Sequence, residues 1–359
     1  MRQLLPFIVV FIVISCSKEI PSEKLVERNG LSYEINTETP YTGVTLSYHT
    51  NGQLSSRVRY KNGLKDGSSE IYNQNGQIID LRNYKENIEE GPYELFHENG
   101  QISVRGVMEN GKPIDGPLRF YFDNGSLETI NTYKGGQIDG PYEDYYRTGE
   151  IKTRLSVKNG KPDGLQEKFY KNGNEESVYF VTDGVFNGSY KSYWENGNLK
   201  KEVNYLDGKE SFEIKTYFEN GQLQKNNFLE RGRKFFTEYH DNGQLSFKES
   251  LKNDVNDGLS VKYFKNGMTL SWYNYKEGKQ IGNGGKFFSD GEPSVIYGRD
   301  RNGEDHGWTL FISETGNVRK SCYENGDMKL IGSSDPLKCD GLTVNQSIER
   351  FKQLTSEYF

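Results

Sequence analysis

Tyrosine or phenylalanine returns at Tyr48, Tyr72, Phe96, Tyr121, Tyr145, Phe169, Tyr193, Tyr217, Tyr239, Tyr263 and Phe287, each four residues before a glycine. These glycines run from Gly52 to Gly316 in steps of 24 residues, with two steps of 25 and one of 22. Asparagine precedes the glycine in nine of twelve cases. Asn-Gly favours a tight hairpin turn with positive φ at both central residues, so a type I′ turn is expected here. Two residues after the glycine stands an aliphatic such as Leu54, Ile78, Ile102 or Leu127, and eight after it Tyr60, Tyr84, Tyr133 or Tyr205. Both offsets are even, which predicts one shared apolar strand face. Lys, Glu, Ser, Asn and Arg fill most positions between, the alternation of an antiparallel sheet with one wet side.

A second glycine set, Gly43, Gly67, Gly91, Gly116, Gly140, Gly164 and Gly188, then Gly258, Gly282 and Gly307, lies nine residues before the first. Just upstream are further turn signals, Asn62-Gly63, Asn110-Gly111, Asn159-Gly160 and Glu277-Gly278. Each repeat therefore holds two turns and two strands. The expected fold is all-β, an elongated antiparallel solenoid of stacked β-hairpins, about 24 residues each. A parallel β-helix has a similar period but needs no Asn-Gly turns. Ser211-Phe212 and Lys234-Phe235-Phe236 interrupt the second set, and the repeat ending at Gly243 is two residues short, so a bend or altered twist is expected there. Beyond Gly316 the pattern decays. Ile348, Phe351, Leu354 and Tyr358 follow helical spacing, with Thr343 or Asn345 as N-cap. The expected short C-terminal helix would cover the last hairpin and protect an open sheet edge.

The pattern G-x₄-[YF]-x₂-N-G, clearest from Gly91 to Gly100 and from Gly188 to Gly197, resembles the variant MORN repeat of bacterial proteins, including those named YwqK-family antitoxins. The resemblance covers about residues 41 to 330. It implies scaffolds and binding surfaces rather than catalysis, with neutralisation of a toxin as a further possibility from the family name.

Composition sharpens this picture. Tyr and Phe number 25 and 20 and glycine 40, while hydrophobic residues make up only 33%. So few aliphatics suit a thin core built from regularly placed rings. Disordered chains lack such aromatics. The net charge is −6, with 51 acidic against 45 basic residues, which argues against nucleic acid as a partner.

At the start, Met1-Arg2-Gln3 precedes an apolar run from Leu4 to Ile14 that ends in Ser15-Cys16. That is the order of a secretory signal. Val13-Ile14-Ser15-Cys16 resembles the bacterial lipobox, with Cys16 as the lipidated residue. The expected division is a signal peptide over residues 1–15, a tether over 16–30, the repeat array over 31–330 and a cap with a short helix over 331–359. The expected location is the cell envelope, lipid-anchored at the outer membrane.

Cys322 and Cys339 remain in a compartment that permits disulfides. A bridge would contribute about 3 kcal/mol, and two free thiols are the alternative. His49, His97, His240 and His306 are scattered and read as surface turn residues. No metal-ligand spacing, P-loop or nucleophile motif occurs. Asp/Asn-rich turns such as 253–258 and 300–305 offer oxygen ligands for calcium but are what turns require. No catalytic residue, cofactor or metal site is expected.

The leading functional expectation is a non-enzymatic, membrane-tethered repeat surface that binds a protein or an envelope component. A carbohydrate- or choline-type binding module is the alternative, because Tyr offers stacking and cation–π sites.

Overall fold

The computed structural model describes residues 18–329, 338–339 and 342–358. The expected signal peptide and Cys16 lie outside these residues. The chain divides into two compact units, residues 1–173 and 174–359. Both are built from antiparallel hairpins in sequence order, and the second carries the helix α1 (Val344–Tyr358).

Each repeat contributes one strand before its Asn-Gly turn and one after it, as in Gly43–Tyr48 and Leu54–Lys61. The Asn-Gly turns are not type I′. Gly52 has φ +83° while Asn51 keeps a negative φ. The Gly52 N–H donates to the His49 carbonyl (2.9 Å), and the His49 N–H donates to that of Gln53 (2.8 Å). This is a type I turn closed by a left-handed glycine, the three-residue hairpin loop. The true two-residue turns lie at the other end of the hairpins, where both residues have positive φ: Asn62-Gly63 (50°, 81°), Gly135-Gly136 (59°, 82°) and Asp207-Gly208 (48°, 76°).

The turn type changes which residues share a face. Tyr145 pairs with Ile151 and Asp144 with Thr153, so Lys152 is an extra residue, a β-bulge. The same shift recurs at Tyr48, Tyr72, Tyr121, Tyr193 and Tyr239. The bulge reverses parity. The aliphatic two residues after the glycine joins the aromatic column, while the residue eight after it lies on the opposite face. The expectation of one shared apolar face fails for that reason.

The second glycine set sits inside strands, not in turns. Gly67 (φ +107°) lies within Leu64–Tyr72, where the register slips between Val58 and Tyr60, and it pairs with Tyr84 in the next strand. Where the second set is missing and the repeat is two residues short, Leu223–Glu230 pairs with Arg233–Tyr239 with no slip. The absent residues are those of the bulge.

Residues 18–30, expected to belong to a tether, are folded. Glu19–Pro21 runs parallel to Gly43–Tyr48, with Glu19 opposite Val44, and Leu25–Arg28 pairs with Leu31–Glu34. Ile20 and Val44 are buried beneath this contact. A short strand ending in proline blunts that sheet edge.

The helix does not guard a sheet edge; it lies on a sheet face. Phe351, 1% exposed, stacks on Trp272 (5.5 Å) and Phe287 (5.3 Å). Val261, Ile296, Trp308 and Leu310 complete this cluster, with Ile348 and Leu354 packed against it. Gly285 leaves room for the Phe351 ring, since a Cβ there would come within 2.6 Å of it. Thr343 is the N-cap: the Gln346 N–H donates to Thr343 Oγ1 (3.3 Å), and Gln346 Oε1 accepts from the Thr343 N–H (2.9 Å). That reciprocal pair is a capping box. Cys322 and Cys339 form a disulfide (Cα–Cα 5.7 Å) that joins the last long strand, Val318–Glu324, to the segment leading into the helix.

Candidate interaction surface

Three recurrent hydrogen-bond patterns link neighbouring repeats. In the first, the asparagine before the turn glycine accepts from the N–H two residues on and donates across: Asn220 Oδ1 accepts from Gln222 N–H (3.0 Å), and Asn220 Nδ2 donates to the Asp241 carbonyl (3.1 Å). Asn51, Asn196 and Asn242 do the same. Asparagine is selected here by its two-ended side chain.

In the second, the residue after every other aromatic column member donates to the carbonyl of the next member. His49 Nε2 reaches the Tyr72 carbonyl (2.9 Å), His97 Nε2 that of Tyr121 (2.8 Å) and His240 Nε2 that of Tyr263 (3.0 Å). The Tyr146 hydroxyl and Trp194 Nε1 do the same for Phe169 and Tyr217. A carbonyl only accepts, so these histidines carry their proton on Nε2. They are half-buried connectors rather than free surface turn residues.

In the third, an acidic residue before the bulge glycine accepts from the next two-residue turn, as Glu90 does from Asn110 N–H (2.8 Å) and Asp115 from Gly135 N–H (2.7 Å).

The eleven column members Tyr48, Tyr72, Phe96, Tyr121, Tyr145, Phe169, Tyr193, Tyr217, Tyr239, Tyr263 and Phe287 share, within each unit, one face, hereafter the ladder face. They are not its buried core. Only Phe287 is buried, under the helix, and Tyr48 is 56% exposed; the others are half-buried. A single sheet layer leaves its rings in contact with solvent unless something packs on them. The buried centre of the repeats is on the opposite face, one column further from the turn, with Thr45, Ser69, Tyr93, Gln166, Val203 and Asn227. Rings close over it, as where Tyr179, Phe186, Tyr190 and Tyr205 pack at centroid distances of 4.9 to 6.2 Å.

Beside the aromatic column, the middle of the ladder face carries ions in register on successive strands. Arg154 faces Glu143 (3.3 Å) on one side and Glu167 (3.2 Å) on the other, with its guanidinium 5.8 Å from the centre of the Phe169 ring. Arg105 pairs with Glu94 (2.7 Å), and in the second unit Lys215 pairs with Glu202 (3.0 Å). Burial lowers the Arg154 pKa, but the hydrogen bonds to Glu143 and Glu167 outweigh it and the net shift is upward. The Tyr145 hydroxyl donates to Glu143 (2.5 Å), and that of Tyr72 to Glu70 (2.5 Å). Burial, then these hydrogen bonds, push both tyrosines up to about 12. In the second unit the same strand positions turn apolar, Val261, Trp272, Ile296 and Leu310, where the helix lies over them.

Among the described residues no three His, Cys, Asp or Glu side chains converge as a metal site. What the ladder face offers is a row of paired charges edged by half-buried rings. Sequence reasoning missed the charge row because the bulge was not legible, and missed the histidine ladder because its partners lie about 24 residues away.

No curated protein matches the chain. Among solved structures, it aligns with the crystal structure of TcdB2-TccC3 at 10% identity and a TM-score of 0.17, covering 76% of this chain and 17% of that one. With the Photorhabdus luminescens Tc holotoxin pore the values are 10% and 0.16, covering 80% and 16%. The chain spans about a sixth of the length of those chains, and scores this low carry no argument. The hairpins themselves are recognisable: residues 41–62, 89–112, 114–134 and 186–207 match the MORN repeat variant.

Proposed function

We propose that the repeat array is a binding scaffold whose ladder face docks a partner protein, with no chemistry of its own. The observation that carries this reading is the register of Glu143, Arg154 and Glu167, charged side chains held at strand spacing beside half-buried rings. Ion pairs at a protein surface contribute little to stability, about 0–1 kcal/mol each. Their value lies in complementarity, which orients a partner and discriminates against wrong ones. Four MORN-variant matches support an interaction role. The test is capture from envelope extracts on the chain without residues 1–16, repeated with Arg154→Glu. Loss of the captured protein with the sheet intact supports the ladder face. Capture of the same protein at unchanged affinity by this and the equivalent Arg105→Glu and Lys215→Glu variants removes it.

The same proposal includes a lipid tether at Cys16, motivated by Val13-Ile14-Ser15-Cys16. Two or more acyl chains give stable anchoring where one is marginal. Cys16→Ser should abolish lipid labelling and release the protein from membranes. Labelling that persists in the variant ends the anchor assignment.

A further inference from the structure

Beside the helix, the second unit holds a solvent-open pocket of about 140 Å³ whose walls include Asn283, Arg299, His306, Trp308, Ser347 and Arg350. It is polar, and it exceeds the space one water needs, about 10–15 Å³ on this measure. Among the described residues no Asp or Glu side chain lines it. Arg299 is engaged at one end only: its Nη1 donates to the Gly303 carbonyl (3.0 Å) and meets Asp305 (3.1 Å). Its Nε is buried with no acceptor. A buried N–H without an acceptor costs about 1–3 kcal/mol, more when the group is charged, so a water or a bound oxygen acceptor is favoured at this position. Arg350, one turn from the capping box, is solvent-exposed at the rim and makes neither ion pair nor hydrogen bond to another described residue. Asn283 and Ser347 add neutral side chains able to donate.

We propose that this pocket binds a small oxyanion, a carboxylate or phosphate group, between Arg299 and Arg350. Guanidinium groups bind such planar or tetrahedral oxygens through charge-assisted hydrogen bonds. The anion would join a strand to the helix, so occupancy also fastens the helix to the sheet. The site is independent of the ladder-face proposal.

Trp308 lies in the wall and reports directly. The full chain is titrated with sodium acetate and with sodium phosphate, against sodium chloride at matched ionic strength and against acetamide. A saturable change in tryptophan fluorescence is expected with acetate or phosphate, absent with chloride and acetamide and lost in Trp308→Phe. Saturation by acetate alone assigns the site to carboxylates, and by phosphate alone to phosphate groups. Arg350→Gln should weaken binding at least about tenfold, the scale of one charge-assisted hydrogen bond, and Arg350→Lys should recover part of it. Circular dichroism of each variant verifies the fold. A change that never saturates, that chloride reproduces, or that keeps its midpoint in Arg350→Gln overturns the proposal.

Discussion

Asn220 performs two tasks that substitution can separate. Its Oδ1 holds the turn through Gln222 N–H, and its Nδ2 ties this repeat to the next at Asp241. Asn220→Asp keeps the acceptor and removes the donor, whereas Asn220→Ala removes both. Each hydrogen bond contributes about 0.5–1.5 kcal/mol, so denaturant unfolding should rank wild type above Asp above Ala, with steps of that size. If Asp loses nothing relative to wild type, the contact across repeats contributes nothing; if Asp and Ala lose equally, the turn contact through Oδ1 contributes nothing. Tyr145 makes a second residue-level case. An unfolded tyrosine ionises near pH 10, and Tyr145 is pushed up to about 12. Deprotonation between these values favours the unfolded chain, so the stabilisation is whole below about pH 10 and declines as pH rises towards 12. Tyr145→Phe cannot ionise. Its stability should therefore fall less steeply across that window than the wild type's, and parallel alkaline unfolding curves would contradict the Glu143 contact.

At the scale of the element, α1 shows what the repeats lack. Its Phe351 ring is buried on two aromatic partners, and Phe351→Ala should cost about 3–5 kcal/mol. Because that ring touches only the last strands, the loss should appear as faster amide exchange over residues 344–358 and altered Trp272 emission. Exchange in the first unit should stay unchanged. Uniform acceleration throughout the chain would mean that the helix is not a local element. The helix and its N-cap were legible in Ile348, Phe351 and Thr343, because a 3.6-residue period and a capping box are local signals. Its position was not, since nothing near Phe351 in sequence names Trp272 or Gly285 as the surface it meets. The hairpins were legible from a strict period of Tyr and Asn-Gly. The faces were not, for one physical reason: Lys152 and its counterparts add a residue to one strand, and an alternation counted through that point assigns every later side chain to the wrong side. Likewise Gly67 and Gly140 look like turn glycines, although their positive φ serves a bulge inside a strand.

At the scale of the whole molecule, stability within each unit is a sum of hairpins and the interfaces between neighbours. The asparagine ladder recurs across most of those interfaces. Removing residues 76–99 from the first unit would leave Asn75 followed by Gly100, preserving the Asn-Gly-Gln-Ile sequence of the turn. The side chain of Asn75 would then face the carbonyl of Asp123, which Asn99 engages in the intact chain. The shortened protein should fold, with a denaturant m-value reduced in proportion to the surface it no longer buries. The deletion also removes Glu94 from the row of charges while leaving Glu143, Arg154 and Glu167 in place. If the ladder face is the docking surface, partner affinity should fall in steps as one, two and three repeats are removed, because many neighbouring contacts share the binding. Alanine at a single ladder-face charge should weaken it without abolishing it, since truncation of most interface residues costs less than about 1 kcal/mol. Both series are read by titration against the captured partner, after circular dichroism has verified each fold. Complete loss from one such substitution, with the sheet intact, would replace the distributed surface with a compact site.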